Sequence, residues 1–152
     1  MRLSDAEVYE KFADELVRFA TGLVGPFDAA DVVADTFVRV LRSGSWPDAK
    51  DQRSYLYRAV VNEARMRHRS TMRRRAREMR AADREAVDDR EIRPEVLEAL
   101  SVLSPQQRAM VVLTYWEDLE PAAVGQRLGV SEGSVRRQLA RGRAKLREVL
   151  DD

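Results

Sequence analysis

Apolar side chains in this chain recur every three or four residues, and no segment sustains the period-two alternation of a half-buried strand. Val8, Phe12, Leu16, Phe19 and Leu23 mark a first helix, which Gly25-Pro26 stops. Asp28 is placed to cap a second helix, with Val33, Phe37, Val40 and Leu41 on its apolar stripe. Ser43 to Asp48 (SGSWPD) reads as a loop. A third helix starts near Arg53 and carries Leu56, Ala59, Val60 and Ala64 on one face before the stripe disappears into a cluster of arginines. Residues 80–93 are charged and poor in large apolar side chains, the composition of a mobile linker. A second helical block begins near Pro94 with Leu97, Leu100 and Leu103. Ser104-Pro105-Gln106-Gln107 then supplies an N-cap, a proline at the first helical position and a glutamine at the reciprocal capping position. That helix continues to about Trp116.

The last third of the chain is the most specific. Pro121 opens a short helix that Gly129 ends as a left-handed cap, and Ser131 caps a long final helix with Val135, Leu139, Leu146 and Val149 facing inward. A short helix, a glycine turn and a second helix make a helix-turn-helix. Gly125 supplies the small side chain that lets the two helices approach, and Val124, Leu128, Val130 and Val135 form the local core. The expected fold class is therefore all-α, in two small helical blocks.

Charge sharpens this picture. The net charge of +1 hides a sorted distribution. Residues 1–51 hold ten acidic side chains against six basic ones, whereas residues 65–80 hold eight arginines against Glu78 alone. A second basic run follows at Arg136, Arg137, Arg141, Arg143, Lys145 and Arg147. Two separate cationic stretches imply two separate polyanion contacts, although a charge run is also the ordinary dress of a solvated face. There is no cysteine and His68 is the single histidine, so disulfides, a thiolate zinc site, a cysteine nucleophile and a histidine-based metal site are excluded, and no metal or cofactor is expected. No motif supports an enzyme. No stretch approaches the roughly 20 apolar residues of a membrane span, and the N-terminus lacks a signal core, so no membrane insertion and a cytoplasmic location are expected.

Three segments carry a resemblance. DAADVVADTFVRVL at 28–41 resembles the region 2 signature of extracytoplasmic-function (ECF) sigma factors, the bacterial subunits that lend RNA polymerase its promoter specificity. RSYLYRAVVNEAR at 53–65 is similar to a second stretch of the same region. LSPQQR at 103–108 and GSVRRQLARGRAKL at 133–146 resemble region 4. The resemblance spans nearly the whole chain outside the linker. It implies a region 2 domain of three or four helices at 1–79, a flexible linker at 80–93 and a region 4 helix-turn-helix domain at 94–152.

It also implies sites. Asp31, Val32, Asp35 and Arg39 become contacts to the clamp helices of the largest subunit of core RNA polymerase, where residues alone suggest only solvated carboxylates on an amphipathic helix. The loop at 43–54 and the helix after it would meet the melted −10 element of promoter DNA. There Asn62 both donates and accepts, as reading a flipped base requires, and Arg58, Arg65 and Arg69 would hold phosphate. Trp46, Tyr55 and Tyr57 have two readings, base stacking or core packing. The final helix would enter the major groove of the −35 element with Ser134, Arg136, Arg137 and Ala140 outward and its cap Ser131 among the −35 residues, while Arg127, Arg141 and Arg143 bind backbone phosphate. The flap of the second-largest polymerase subunit and an anti-sigma protein are further implied partners.

Four positions depart from the family pattern: Ala34 for glutamine, Tyr55 for tryptophan, Arg137 for serine and Gly142 for alanine. Two other readings compete. A stand-alone helix-turn-helix regulator would need a ligand pocket, a phospho-acceptor domain or a dimer helix, and residues 1–93 resemble none of these. A sigma mimic that only titrates an anti-sigma protein would be expected to lose its basic recognition elements, which this chain keeps. The sigma reading predicts that Arg136→Ala costs ~1–3 kcal/mol of discrimination at the −35 element, measured as binding to matched and mismatched promoters. An equal loss on every sequence would instead mark Arg136 as a phosphate contact.

Overall fold

The computed structural model describes residues 3–44, 46, 50–82 and 92–150, and of residues 68–82 the backbone. Among the described residues there are seven α-helices and no strand, as the apolar period requires. They are α1 (Asp5–Val24), α2 (Ala29–Leu41), α3 (Gln52–Ala82), α4 (Pro94–Leu100), α5 (Pro105–Tyr115), α6 (Pro121–Leu128) and α7 (Glu132–Leu150).

The helix ends follow from local chemistry. Ser4 caps α1 by accepting from the Glu7 N–H at 3.2 Å. Ser104 and Gln107 close a reciprocal capping box at the start of α5. Ser131 accepts from the Ser134 N–H at 3.1 Å and so caps α7. Asp28 does not act as expected. It stands at the N-cap of α2, but its backbone is already helical (φ −95°, ψ −11°) and its side chain makes no capping bond. An effective cap holds an extended backbone, which swings its oxygen over the free N–H groups.

Helices α1, α2 and α3 pack around Phe12, Leu16, Phe19, Val33, Phe37, Leu56 and Val60, all buried. Helices α4 to α7 pack around Leu100, Leu103, Met110, Leu113, Val124, Val135 and Leu139. Gly129 closes α6 in the left-handed region (φ 73°, ψ 33°), where glycine meets no steric penalty. At Gly125 a Cβ would lie 2.6 Å from the Val130 carbonyl oxygen, so only glycine lets α6 reach the chain entering α7. Gln107 ties α5 to α7, donating to Gln138 at 3.0 Å and accepting from Lys145 at 3.2 Å.

The two groups of helices do not stand apart. Helix α5 packs on α1 and α3, and α6 packs on α3, so one buried cluster runs through both. Helix α3 runs as far as Ala82. Ile92, expected in the linker, is buried and reaches toward Gly22 of α1, while residues 83–91 and with them most of the expected linker lie outside the described residues. Val149, expected inward, is 42% exposed. Helix α7 has 19 residues and its neighbours α4, α5 and α6 have 7, 11 and 8, so its last turn outruns them.

The two buried glycines of the second group predict opposite outcomes. A Cβ at Gly142 would meet Leu103 and Val111 at 3.7 Å, ordinary contact, so Gly142→Ala should raise stability by about 1 kcal/mol through helix propensity. Gly125→Ala should lower it, because the nearest atom is an immovable carbonyl. Denaturant midpoints of the two variants check both signs.

Candidate nucleic-acid and partner interfaces

Helix α2 presents one face outward. Asp31, Asp35 and Arg39 are exposed on it, and Val38 beside them is 51% exposed. Val32, predicted as a contact with them, is fully buried and packs in the core instead. On a helix the residue one position from an exposed one is rotated by about 100°. The exposed face is held by ions. Arg67 of α3 pairs with Asp35 and, at 3.6 Å, with Glu63, while Arg39 lies 3.5 Å from Glu63 and donates to the Met66 sulfur at 3.2 Å. Glu63 is only 6% exposed and lies against both arginines. Sequence reasoning missed Glu63 and Arg67, although their spacing of four along a helix was a readable signal.

The start of α3 is set by Asp51. Its carboxylate accepts from the Ser54 N–H at 3.0 Å and from the Ser54 hydroxyl at 2.7 Å. Those bonds, the hydroxyl first, hold its pKa below the ordinary 3.8, with Arg127 and Arg58 adding attraction. Asn62, Arg58 and Arg65 then lie exposed along α3. Arg69 lies among the residues whose side chains are outside the description.

The aromatics divide. Trp46 is 7% exposed and packs edge-on against Tyr55 at 5.3 Å, so in this conformation neither of its ring faces is open to a base. Tyr55 is half-buried, its hydroxyl 3.2 Å from that of Ser43. Tyr57 is a core residue, packed against Phe19 and donating its hydroxyl to Glu15 at 2.9 Å. Burial, and then the Glu15 charge, pushes its phenol pKa upward, so it stays neutral.

In the helix-turn-helix, Arg136, Arg137 and Ala140 form an exposed row on the first turns of α7, with Ser134 half-buried and Ser131 committed to capping. Arg136 pairs with Glu132 at 2.7 Å, an exposed i,i+4 contact worth a few tenths of a kcal/mol, so a phosphate or base edge can displace it. Arg141 and Arg143 are exposed further along, and Arg127 on α6 is half-buried with its guanidinium 4.7 Å above the Tyr57 ring. Among the described residues no group of His, Asp and Glu is arranged to hold a metal, and no helix is long and apolar enough to cross a membrane.

The chain is similar to known proteins in sequence and in fold. Residues 8–74 match the family model described as Sigma-70 region 2, and residues 93–146 match the one described as Sigma-70, region 4. The chain is 32% identical to an RNA polymerase sigma-E factor of Streptomyces antibioticus, over 95% of this chain and 83% of that one. It is 33% identical to the RNA polymerase sigma-E factor of Streptomyces coelicolor, over 90% and 80%. Among solved structures it resembles CnrH, in complex with the cytosolic domain of CnrY, with a TM-score of 0.66 and 26% identity over 97% of this chain and 87% of that one. The fold is also that of the sigma factor RpoE in complex with the anti-sigma factor NepR from Bartonella quintana (TM-score 0.60, 22% identity, 94% of each chain).

The Asp51 cap gives a prediction with a definite sign. A carboxyl whose pKa is lowered by folding stabilises the fold above its unfolded pKa, and that contribution is lost as pH falls through the folded value. Asp51→Ala should therefore cost about 1 kcal/mol near neutral pH, and the gap to wild type should close below the ordinary carboxyl value of 3.8. Denaturation across that pH range tests it; a gap that persists in acid would show that the carboxylate does not carry the cap.

Proposed function

The chain belongs to the extracytoplasmic-function family of RNA polymerase sigma factors, and from that premise we propose how its surfaces divide the work of promoter recognition. It is an alternative sigma factor that directs transcription initiation. In the proposed division residues 1–79 form the polymerase-binding and −10-reading domain and residues 94–152 the −35-reading domain, joined through 80–93.

Asp31, Asp35 and Arg39 on α2, with Val38 among them, dock on the clamp helices of core polymerase. Val32 supports that face from within the core. Asn62 reads an unstacked base of the −10 element, and Arg58, Arg65 and Arg69 hold the phosphates around it. Tyr55 stacks on that base once its edge-on contact with the Trp46 ring is given up. On α7, Arg136 and Arg137 read base edges of the −35 element, with Ser134 and Ala140 beside them. Arg127, Arg141 and Arg143 hold the backbone, and Ser131 serves by capping α7. The protein works in the cytoplasm, where the polymerase flap carries the second domain. An anti-sigma protein covers these surfaces until a signal arrives, in line with the structural relative RpoE, solved in complex with the anti-sigma factor NepR.

One observation carries this reading most: the exposed row Arg136, Arg137 and Ala140 lies on the helix that follows a glycine turn built for close helix approach. The test is transcription from fragmented genomic DNA by core polymerase with and without the protein, followed by sequencing of the transcripts. New start sites sharing −10 and −35 motifs are expected. Asn62→Ala should cut transcript yield at least tenfold while leaving capture of core polymerase intact, about 1.4 kcal/mol or more of recognition. A protein that neither binds core nor changes the transcripts would overturn the assignment and favour a mimic that only titrates an anti-sigma protein.

A further inference from the structure

Sulfur chemistry in this chain belongs to thioethers alone, since it holds five methionines and no cysteine. Among the described residues Met110 is fully buried in the core, whereas Met66 on α3 is 49% exposed. The side chains of Met1, Met72 and Met79 lie outside the described residues.

Met66 borders the α2 face. Its sulfur accepts from Nη1 of Arg39 at 3.2 Å, across the join between α3 and α2. The other terminal nitrogen of the same guanidinium faces Glu63 at the longer distance of 3.5 Å. Arg39 is 64% exposed in its side chain and is one of the proposed polymerase contacts, with Asp31 and Asp35. Val38, its neighbour in the chain, is half exposed, so the face mixes charge with open apolar surface. A thioether is a weak acceptor on an apolar body. Met66 therefore holds Arg39 lightly and adds to the apolar part of the face.

Oxidation reverses both properties. A sulfoxide oxygen carries a large partial negative charge and accepts hydrogen bonds strongly, and the whole side chain becomes polar. Because the Arg39 guanidinium already touches the sulfur, the new oxygen has a cationic donor within reach. It would tie Arg39 to α3 and set a hydrated dipole where a protein partner needs apolar contact.

Resting on the sigma assignment, we infer that Met66 is a modification site: a peroxide converts its thioether to the sulfoxide, and the modified side chain lowers the affinity of the α2 face for core polymerase. In that step a lone pair on sulfur attacks one peroxide oxygen. The S–O bond forms as the O–O bond breaks, the proton on the transferred oxygen passes to the departing hydroxide, and water leaves. Sulfur is oxidised and the peroxide is reduced by the same electron pair.

The test treats the full-length protein with hydrogen peroxide, removes the oxidant and then measures capture of core polymerase. Peptide mass mapping should place an added oxygen on Met66 and none on Met110. Capture should fall about fivefold or more, the loss of a modest interface contact. It should return after treatment with the pair of reductases that act on the two sulfoxide epimers. Met66→Leu keeps the apolar bulk and the helix propensity, so it should capture core equally before and after peroxide. Met66→Gln puts a fixed polar acceptor at the same place and should capture as weakly as the oxidised wild type with no peroxide added. Thermal unfolding of all these forms should coincide, because the side chain lies outside the core. Equal peroxide sensitivity of wild type and Met66→Leu would overturn the inference. So would full capture by wild type carrying the oxygen on Met66, or a loss of capture that came with a lower unfolding temperature. If untreated wild type captured no core at all, the sigma assignment itself would fall, and this inference with it.

Discussion

A buried guanidinium at a helix end organises this molecule. Arg108 is 8% exposed, and a cation removed from water costs several kcal/mol unless its hydrogen bonds are replaced. Its Nε meets the Gly22 carbonyl, one of the few backbone acceptors on α1 that the helix cannot satisfy itself. That bond is possible only because residue 22 has no side chain, which lets Val112 and Ile92 close around it. Three demands therefore converge on one spot: a charge that needs a partner, a carbonyl that needs a donor, and an apolar contact that needs a glycine. Remove any one and the other two lose their reason to sit there.

Around that seam charged groups from both groups of helices face one another. Arg127 rests on the Tyr57 ring, whose hydroxyl is bonded to Glu15, which also accepts from Arg53 at 3.2 Å. Asp51 feels both Arg127 and Arg58. On the outer side of α2 the pairs lie within one group of helices: Glu63 is buried under Arg39 and Arg67, so the ion network fixes the face rather than waiting for a ligand.

Much of this was legible in the sequence, and the reasons are local. The helical period of Val8, Phe12, Leu16 and Phe19 appears in the structure as a buried stripe, and the capping box at Ser104–Gln107, the left-handed Gly129 and the tight approach at Gly125 are all present. Each is dictated within one or two helical turns. The exposed row on α7 was legible for the same reason, since Val135 and Leu139 define the face that must point away from it. Where reading failed, the competing forces were subtler. Asp28 fits the composition of a cap but not its backbone angles, and Val32 was grouped with Asp31 by motif although helical rotation buries it. Trp46 and Tyr57 had two physical readings each, and only their neighbours decide between them.

What the sequence determined alone was the set of helices, most of their caps, the helix-turn-helix and the family to which these belong, because hydrophobic period and backbone capping act over short distances. What only the tertiary structure decided was the partnership of the two halves. Nothing near Gly22 announces Val112, and nothing near Arg108 announces a carbonyl 86 residues earlier in the chain. Such a contact has no period and no motif. It exists because an unsatisfied helix end and a desolvated cation lower each other's free energy once folding brings them together.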